Sequence, residues 1–125
     1  MNKDNLSIKD ITDLSKSLHK KYEETWEPMT PEHARDSILY MIEEVGEVIS
    51  VIKKKSIEDI MEDQAVRSHL VEEMTDVLMY FSDALNRFKI SPEEFSQAYV
   101  KKFEKNLSRD FHADHQSFIK EGSDD

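Results

Sequence analysis

Two short acidic runs hold the residues of this 125-residue chain best suited to chemistry: Glu43-Glu44-Val45-Gly46-Glu47 and Glu72-Glu73-Met74-Thr75-Asp76. Each sits inside an apolar periodicity of helical spacing. Residues three apart share one face of a helix, so Glu44 with Glu47, and Glu73 with Asp76, each aim two carboxylates in one direction. Like charges at that spacing destabilise an isolated helix by about 0.2–0.5 kcal/mol per pair, and partial burial raises the cost. A cation relieves it. If the two helices pack antiparallel, the four carboxylates meet and offer oxygen ligands to a hard divalent ion, magnesium or manganese. Magnesium prefers octahedral oxygen coordination and keeps waters and substrate phosphates in its shell, so the natural substrate carries phosphate. Glu43 and Glu72 flank the pairs and are the candidates to orient or deprotonate an attacking water. A lone Glu-x-x-Glu reads as a solvated helix face; two of them, both overlapping an apolar stripe, read as a metal site. Gly46 costs about 1 kcal/mol relative to alanine inside a helix, which suits close approach of a helix or ligand, or plain packing.

Helices must carry these runs, and the composition favours them. With only 2 Gly and 3 Pro there is too little punctuation for a many-turned β-sandwich. Apolar residues at Ile8, Ile11, Leu14, Leu18 and Tyr22 predict a first amphipathic helix. Thr30 before Pro31 predicts the start of a second, whose core stripe runs Ala34, Ile38, Met41 or Ile42, Val45, Ile49, Ile52 and which closes in Lys53, Lys54 and Lys55. Residues 56–67 read as a connector with at most one short helical turn begun by Ser56. A third helix carries Val66, Leu70, Met74, Val77, Leu78, Phe81, Leu85 and Phe88, and a capping box at Ser91-Pro92-Glu93-Glu94 opens a fourth with Phe95, Ala98, Tyr99, Phe103 and Leu107. The expectation is an all-α bundle of about four main helices over residues 1–110, thin enough to be completed by oligomerisation, followed by a polar tail over residues 111–125 with a poorly ordered tip.

The formal net charge of −10 repels a phosphate backbone and argues against nucleic-acid binding. The absence of cysteine excludes disulfides and thiolate metal sites. No apolar run approaches the ~20 residues that span a bilayer, and a soluble cytoplasmic protein with no membrane partner is expected. A ferritin-like di-iron centre needs Glu-x-x-His pairs, and no glutamate here has histidine three residues on. His33, His69, His112 and His115 have no convincing site.

The pattern Glu43-Glu44-x-x-Glu47, a gap, then Glu73-x-x-Asp76-Val-Leu-x-Tyr80 resembles the signature of the all-α nucleoside triphosphate pyrophosphohydrolases, the MazG-like and dCTP-pyrophosphatase group. The resemblance implies magnesium ligation by Glu44, Glu47, Glu73 and Asp76, and hydrolysis of a nucleoside triphosphate to monophosphate and pyrophosphate in nucleotide-pool house-cleaning. Lys102-x-x-x-Asn106-x-x-Arg109 resembles the family's downstream motif, whose side chains reach the phosphates or the sugar. His19 and Trp26 resemble the histidine and tryptophan that some members place around the base, at a different spacing, and Tyr80 matches a tyrosine that packs against the sugar. Where some members carry a second tryptophan, Lys54 stands nearby, which counts against a specific cytosine preference. The resemblance also implies a homodimer or homotetramer. From another class, a catalytically silent helical scaffold or regulatory protein retaining the acidic pattern is the competing expectation, and response to metal and nucleotide separates the two.

Overall fold

The computed structural model describes residues 1–109 and Ile119. Among them the elements are α1 (Ile8–Lys21), a 3-10 turn (Pro31–His33), α2 (Ala34–Lys54), α3 (Ile57–Glu62), α4 (Gln64–Arg87) and α5 (Pro92–Ser108), with no strand. The fold is all-α, as the sequence predicts. The chain divides into two compact units, Met1–Pro92 and Glu93–Asp125, the second built on α5. The polar tail expected over residues 111–125 lies outside the described residues except for Ile119.

Local chemistry explains the helix boundaries. Ser7 caps α1 by accepting from the Asp10 backbone N–H at 3.0 Å, while the Asp10 carboxylate accepts from the Ser7 N–H, a complete capping box. Thr30 does not cap α2 directly: its side chain makes no capping bond, and residues 31–33 form a tighter turn before α2 begins at Ala34. The stretch expected as a connector is mostly helical. Ser56 caps α3 through the Asp59 N–H, and Asp63 both ends α3 and caps α4 by accepting from the Ala65 and Val66 N–H groups. One residue thus separates two helices, and α4 starts earlier than its apolar stripe suggests. At its far end Lys89 adopts φ 60°, and the Lys89 and Ile90 N–H groups bond back to the Asn86 and Leu85 carbonyls, a Schellman stop with lysine in the position glycine usually takes.

α2 and α4 pack along one another, with α1 and α3 also laid on α4. Buried Asn86 ties α4 to α1 by donating to the Thr12 carbonyl at 3.0 Å. The apolar core is small: among the described residues Ala34, Val51, Ile60, Ala84 and Leu85 are its buried members. Ile49 and Ile52 of α2, and Met74 and Leu78 of α4, expected inside, are exposed; of the alternatives Met41 and Ile42, the first is half-buried and the second exposed. Both long helices are apolar on more than one face, and a single seam between them accommodates only one face of each. Among the described residues no helix is long and apolar enough to cross a membrane.

Candidate active site

The seam between α2 and α4 is antiparallel. Ser37 meets Asp83 through a hydrogen bond from its hydroxyl, and one turn further the Tyr40 and Tyr80 rings lie 5.6 Å apart between centroids. Another turn along, Glu44 meets Glu73 and Asp76. One carboxylate oxygen from each of these three lies within 4.8 Å of the others, and all three side chains are half-buried. Burial first, then the charges of Asp76 and Glu73, push the Glu44 carboxyl above its ordinary range. A shared proton or a bound cation is the physical remedy for such a cluster.

Glu47 is not part of that close group. It is exposed, adds to the repulsion on Glu44, and lines a neighbouring cavity of about 370 Å³ with Ser50, Lys54, Lys55 and His69. His69 in turn approaches Glu73 at 3.8 Å. A helix turns 100° per residue, so three positions fall 60° short of a full turn; at the seam that offset leaves Glu47 toward the edge. Glu43 and Glu72 are both exposed. The charge of Glu43 reaches Tyr80, whereas Glu72 lines a shallow hollow with Gln64, Arg67 and Ser68.

Tyr80 is held as a neutral phenol: burial, followed by the charges of Glu44 and Asp76, raises its pKa. With Tyr40 it forms the boundary between the carboxylates and a second cavity of about 420 Å³, which Trp26, Asp36, Asp83 and Arg87 also line. Trp26 stacks on Tyr22 at 4.9 Å between ring centroids, while His19 meets it edge-on at 6.2 Å. His19 is buried behind this wall and its Nε2 donates to the Glu27 carbonyl at 2.8 Å, so it anchors the segment that carries Trp26. Lys102 and Asn106 lie on α5 and Arg109 just beyond it, all within the second unit.

Sequence reasoning passed over Tyr40, Ser37, Asp83 and Arg87. The signals were present: Tyr40 stands one turn before Glu44, and Asp83 and Arg87 have the i, i+4 spacing of an intrahelical ion pair, here 2.7 Å long. Gly46, expected to allow close approach of a helix or ligand or to serve plain packing, has nothing among the described residues within 4 Å of where a Cβ would stand.

The arrangement is a triad of hard oxygen donors beside an aromatic cavity large enough for a planar ring. The sequence model of the MazG nucleotide pyrophosphohydrolase domain matches residues 33–110, a span that includes both acidic runs and α2 to α5. No curated protein and no solved structure matches the chain. Covering well over half of the sequence, the match shows that the chain belongs to the MazG nucleotide pyrophosphohydrolase domain family.

Proposed function

We propose that this protein hydrolyses a (deoxy)nucleoside triphosphate to the monophosphate and pyrophosphate, with magnesium, or manganese in its place, held by Glu44, Glu73 and Asp76 and with Glu47 closing the ligand set. The observation that carries the reading is the convergence of three half-buried carboxylates within 4.8 Å, next to a cavity walled by tyrosine and tryptophan. The donor set fits a hard divalent ion: all ligand atoms are carboxylate oxygens, and the repulsion that Asp76 and Glu73 add to the burial of Glu44 is what a cation would relieve. When bound, such an ion neutralises the negative charge that builds on the triphosphate oxygens as the bond between the α and β phosphorus breaks.

The remaining roles belong to the chain. Trp26, Tyr40 and Tyr80 receive the base and sugar, and the neutral Tyr80 hydroxyl donates a hydrogen bond toward the sugar or the α phosphate. His19 contributes from behind by holding the Trp26 segment. Water attacks the α phosphorus and gives its proton to Glu43 or to Glu72; Glu43, whose charge already acts at Tyr80, is the better placed of the two. By the family resemblance alone, Asn106 is assigned to the phosphates or sugar, and Lys102 and Arg109 to the departing pyrophosphate. House-cleaning of the nucleotide pool in the cytoplasm is the setting that suits this chemistry. The exposed apolar stripes of α2 and α4 favour a homodimer or homotetramer.

The test is thermal unfolding with magnesium and an α,β-imido nucleoside triphosphate. Saturation at one hundred times Kd stabilises the native state by about 2.7 kcal/mol. The wild-type melting temperature should rise and that of Asp76→Asn should not. Indifference of the wild type to metal and nucleotide together would defeat the reading.

A further inference from the structure

Residues 22–30 join α1 to the 3-10 turn without regular structure, yet they carry Trp26 into the wall of the aromatic cavity. A segment of this kind normally satisfies its carbonyls with water. Here three consecutive carbonyls are taken by side chains instead. His19 Nε2 reaches the Glu27 oxygen at 2.8 Å, Arg87 Nη1 reaches the Glu27 and Pro28 oxygens at 3.3 and 2.7 Å, and Lys89 Nζ reaches the Met29 oxygen at 2.7 Å.

Arg87 is 6% exposed, and its Nε donates to Asp83 at 2.7 Å. Asp83 also accepts from Ser37, so one continuous chain of hydrogen bonds runs from α2 through α4 into the Trp26 segment. Burying a guanidinium is costly unless its donors are used, and two of its three bonding partners are backbone carbonyls of this segment. Lys89 reaches across from the stop of α4 despite its left-handed φ of 60°.

We infer that Arg87 and Lys89 are positioning residues that fix residues 22–30 as a wall of the cavity, and so set nucleotide affinity through Trp26. This rests on the nucleotide reading of that cavity. Asp83 aims the guanidinium, and the carboxylate triad does its work independently of the clamp.

The chain's single tryptophan makes the wall directly observable. The experiment compares wild type, Arg87→Lys and Lys89→Gly in three readouts: acrylamide quenching of Trp26 in the nucleotide-free protein, Kd for dCTP and dATP from Trp26 emission, and kcat for pyrophosphate release. Arg87→Lys keeps the charge but gathers its donors on one nitrogen, whereas the guanidinium reaches Asp83 from Nε and the two carbonyls from Nη1. Lys89→Gly removes the other clamp while relieving the left-handed backbone, so it retains the fold even if Arg87→Lys does not. Both should raise Trp26 quenching and weaken Kd about tenfold, the equivalent of about 1.4 kcal/mol or one lost charged hydrogen bond, with kcat changed far less. Unchanged quenching in folded Lys89→Gly overturns the inference. So does a fall in kcat at constant Kd, and so does a wild type that binds neither nucleotide. A wild type that binds dCTP but releases no pyrophosphate defeats the proposed reaction and leaves the clamp standing.

Discussion

Removing the Asp83 carboxylate should be among the most damaging single changes in this small domain. Its side chain is 17% exposed and that of Arg87 is 7% exposed, so the pair is shielded from solvent on both sides. Asp83→Ala strands a buried guanidinium and the Ser37 hydroxyl, at a cost of about 3–5 kcal/mol. That is a large part of the roughly 5–15 kcal/mol that holds a domain together. Asp83→Asn keeps an acceptor and loses only the charge assistance, about 1–2 kcal/mol, or a fall of roughly 5–15 °C in melting temperature for a domain of this size. Arg87→Met strands the carboxylate instead. The double variant Asp83→Ala/Arg87→Met removes both charges and should cost no more than either single change, giving a coupling of at least about 2 kcal/mol. Urea unfolding followed by far-ultraviolet circular dichroism, at one fixed protein concentration because association shifts apparent stability, measures all four corners of the cycle. Additive effects, or a loss below about 1 kcal/mol for Asp83→Ala, would refute the assignment of the pair as a buried, mutually dependent unit.

Gly46→Ala should stabilise α2 by about 0.8–1.0 kcal/mol, since an added Cβ meets nothing among the described residues; destabilisation, or loss of assembly in sedimentation, would place a partner helix or a ligand against that face. Burial and the charges of Asp76 and Glu73 raise the Glu44 pKa, so the native state holds its proton more tightly than the unfolded chain does. Stability of the metal-free protein should therefore fall as pH climbs from the ordinary value of 4.5 through the raised native one, and Glu44→Gln should flatten that slope in pH-dependent melting. Asp10 has the opposite sign: its backbone and side-chain bonds with Ser7 lower its pKa, so its contribution is lost only as pH drops below 3.8 toward the native value. Ser7→Ala should cost about 1 kcal/mol in the same measurement. Adding magnesium at neutral pH should raise the wild-type melting temperature and leave Glu73→Gln nearly unmoved.

The long helices were legible because their apolar spacing is regular, and α5 opens at Pro92 where the Ser91 signal predicts. The short α3 and the early start of α4 were not, because Asp63 serves two helices at once and reads from sequence as one polar residue among many. Nor could spacing say which of several apolar stripes turns inward: Ile42 and Ile49 fit a core stripe as well as Ala34 and Val51 do, and only the seam decides. At the site, the three-residue spacing brought out Glu44, Glu73 and Asp76, which the antiparallel register then gathers. Glu47 shares the spacing but stands at the edge, since face-sharing on one helix does not fix distance to the next. His19 carried no sign that it supports Trp26 from behind, because its partner is a backbone carbonyl eight residues away. Asp83 and Arg87 show the spacing of an ion pair in the sequence, but the carbonyls that Arg87 also holds become visible only with the folded loop.

The carboxylate triad is proposed to hold the divalent ion on which cleavage between the α and β phosphorus of a nucleoside triphosphate depends. Phosphorus NMR of a panel of nucleoside triphosphates incubated with the protein and magnesium reads the cleaved bond directly. Appearance of nucleoside monophosphate and pyrophosphate, abolished by chelator and by Asp76→Asn, is the predicted result. Release of orthophosphate with a nucleoside diphosphate, or turnover undiminished in Asp76→Asn, would contradict it.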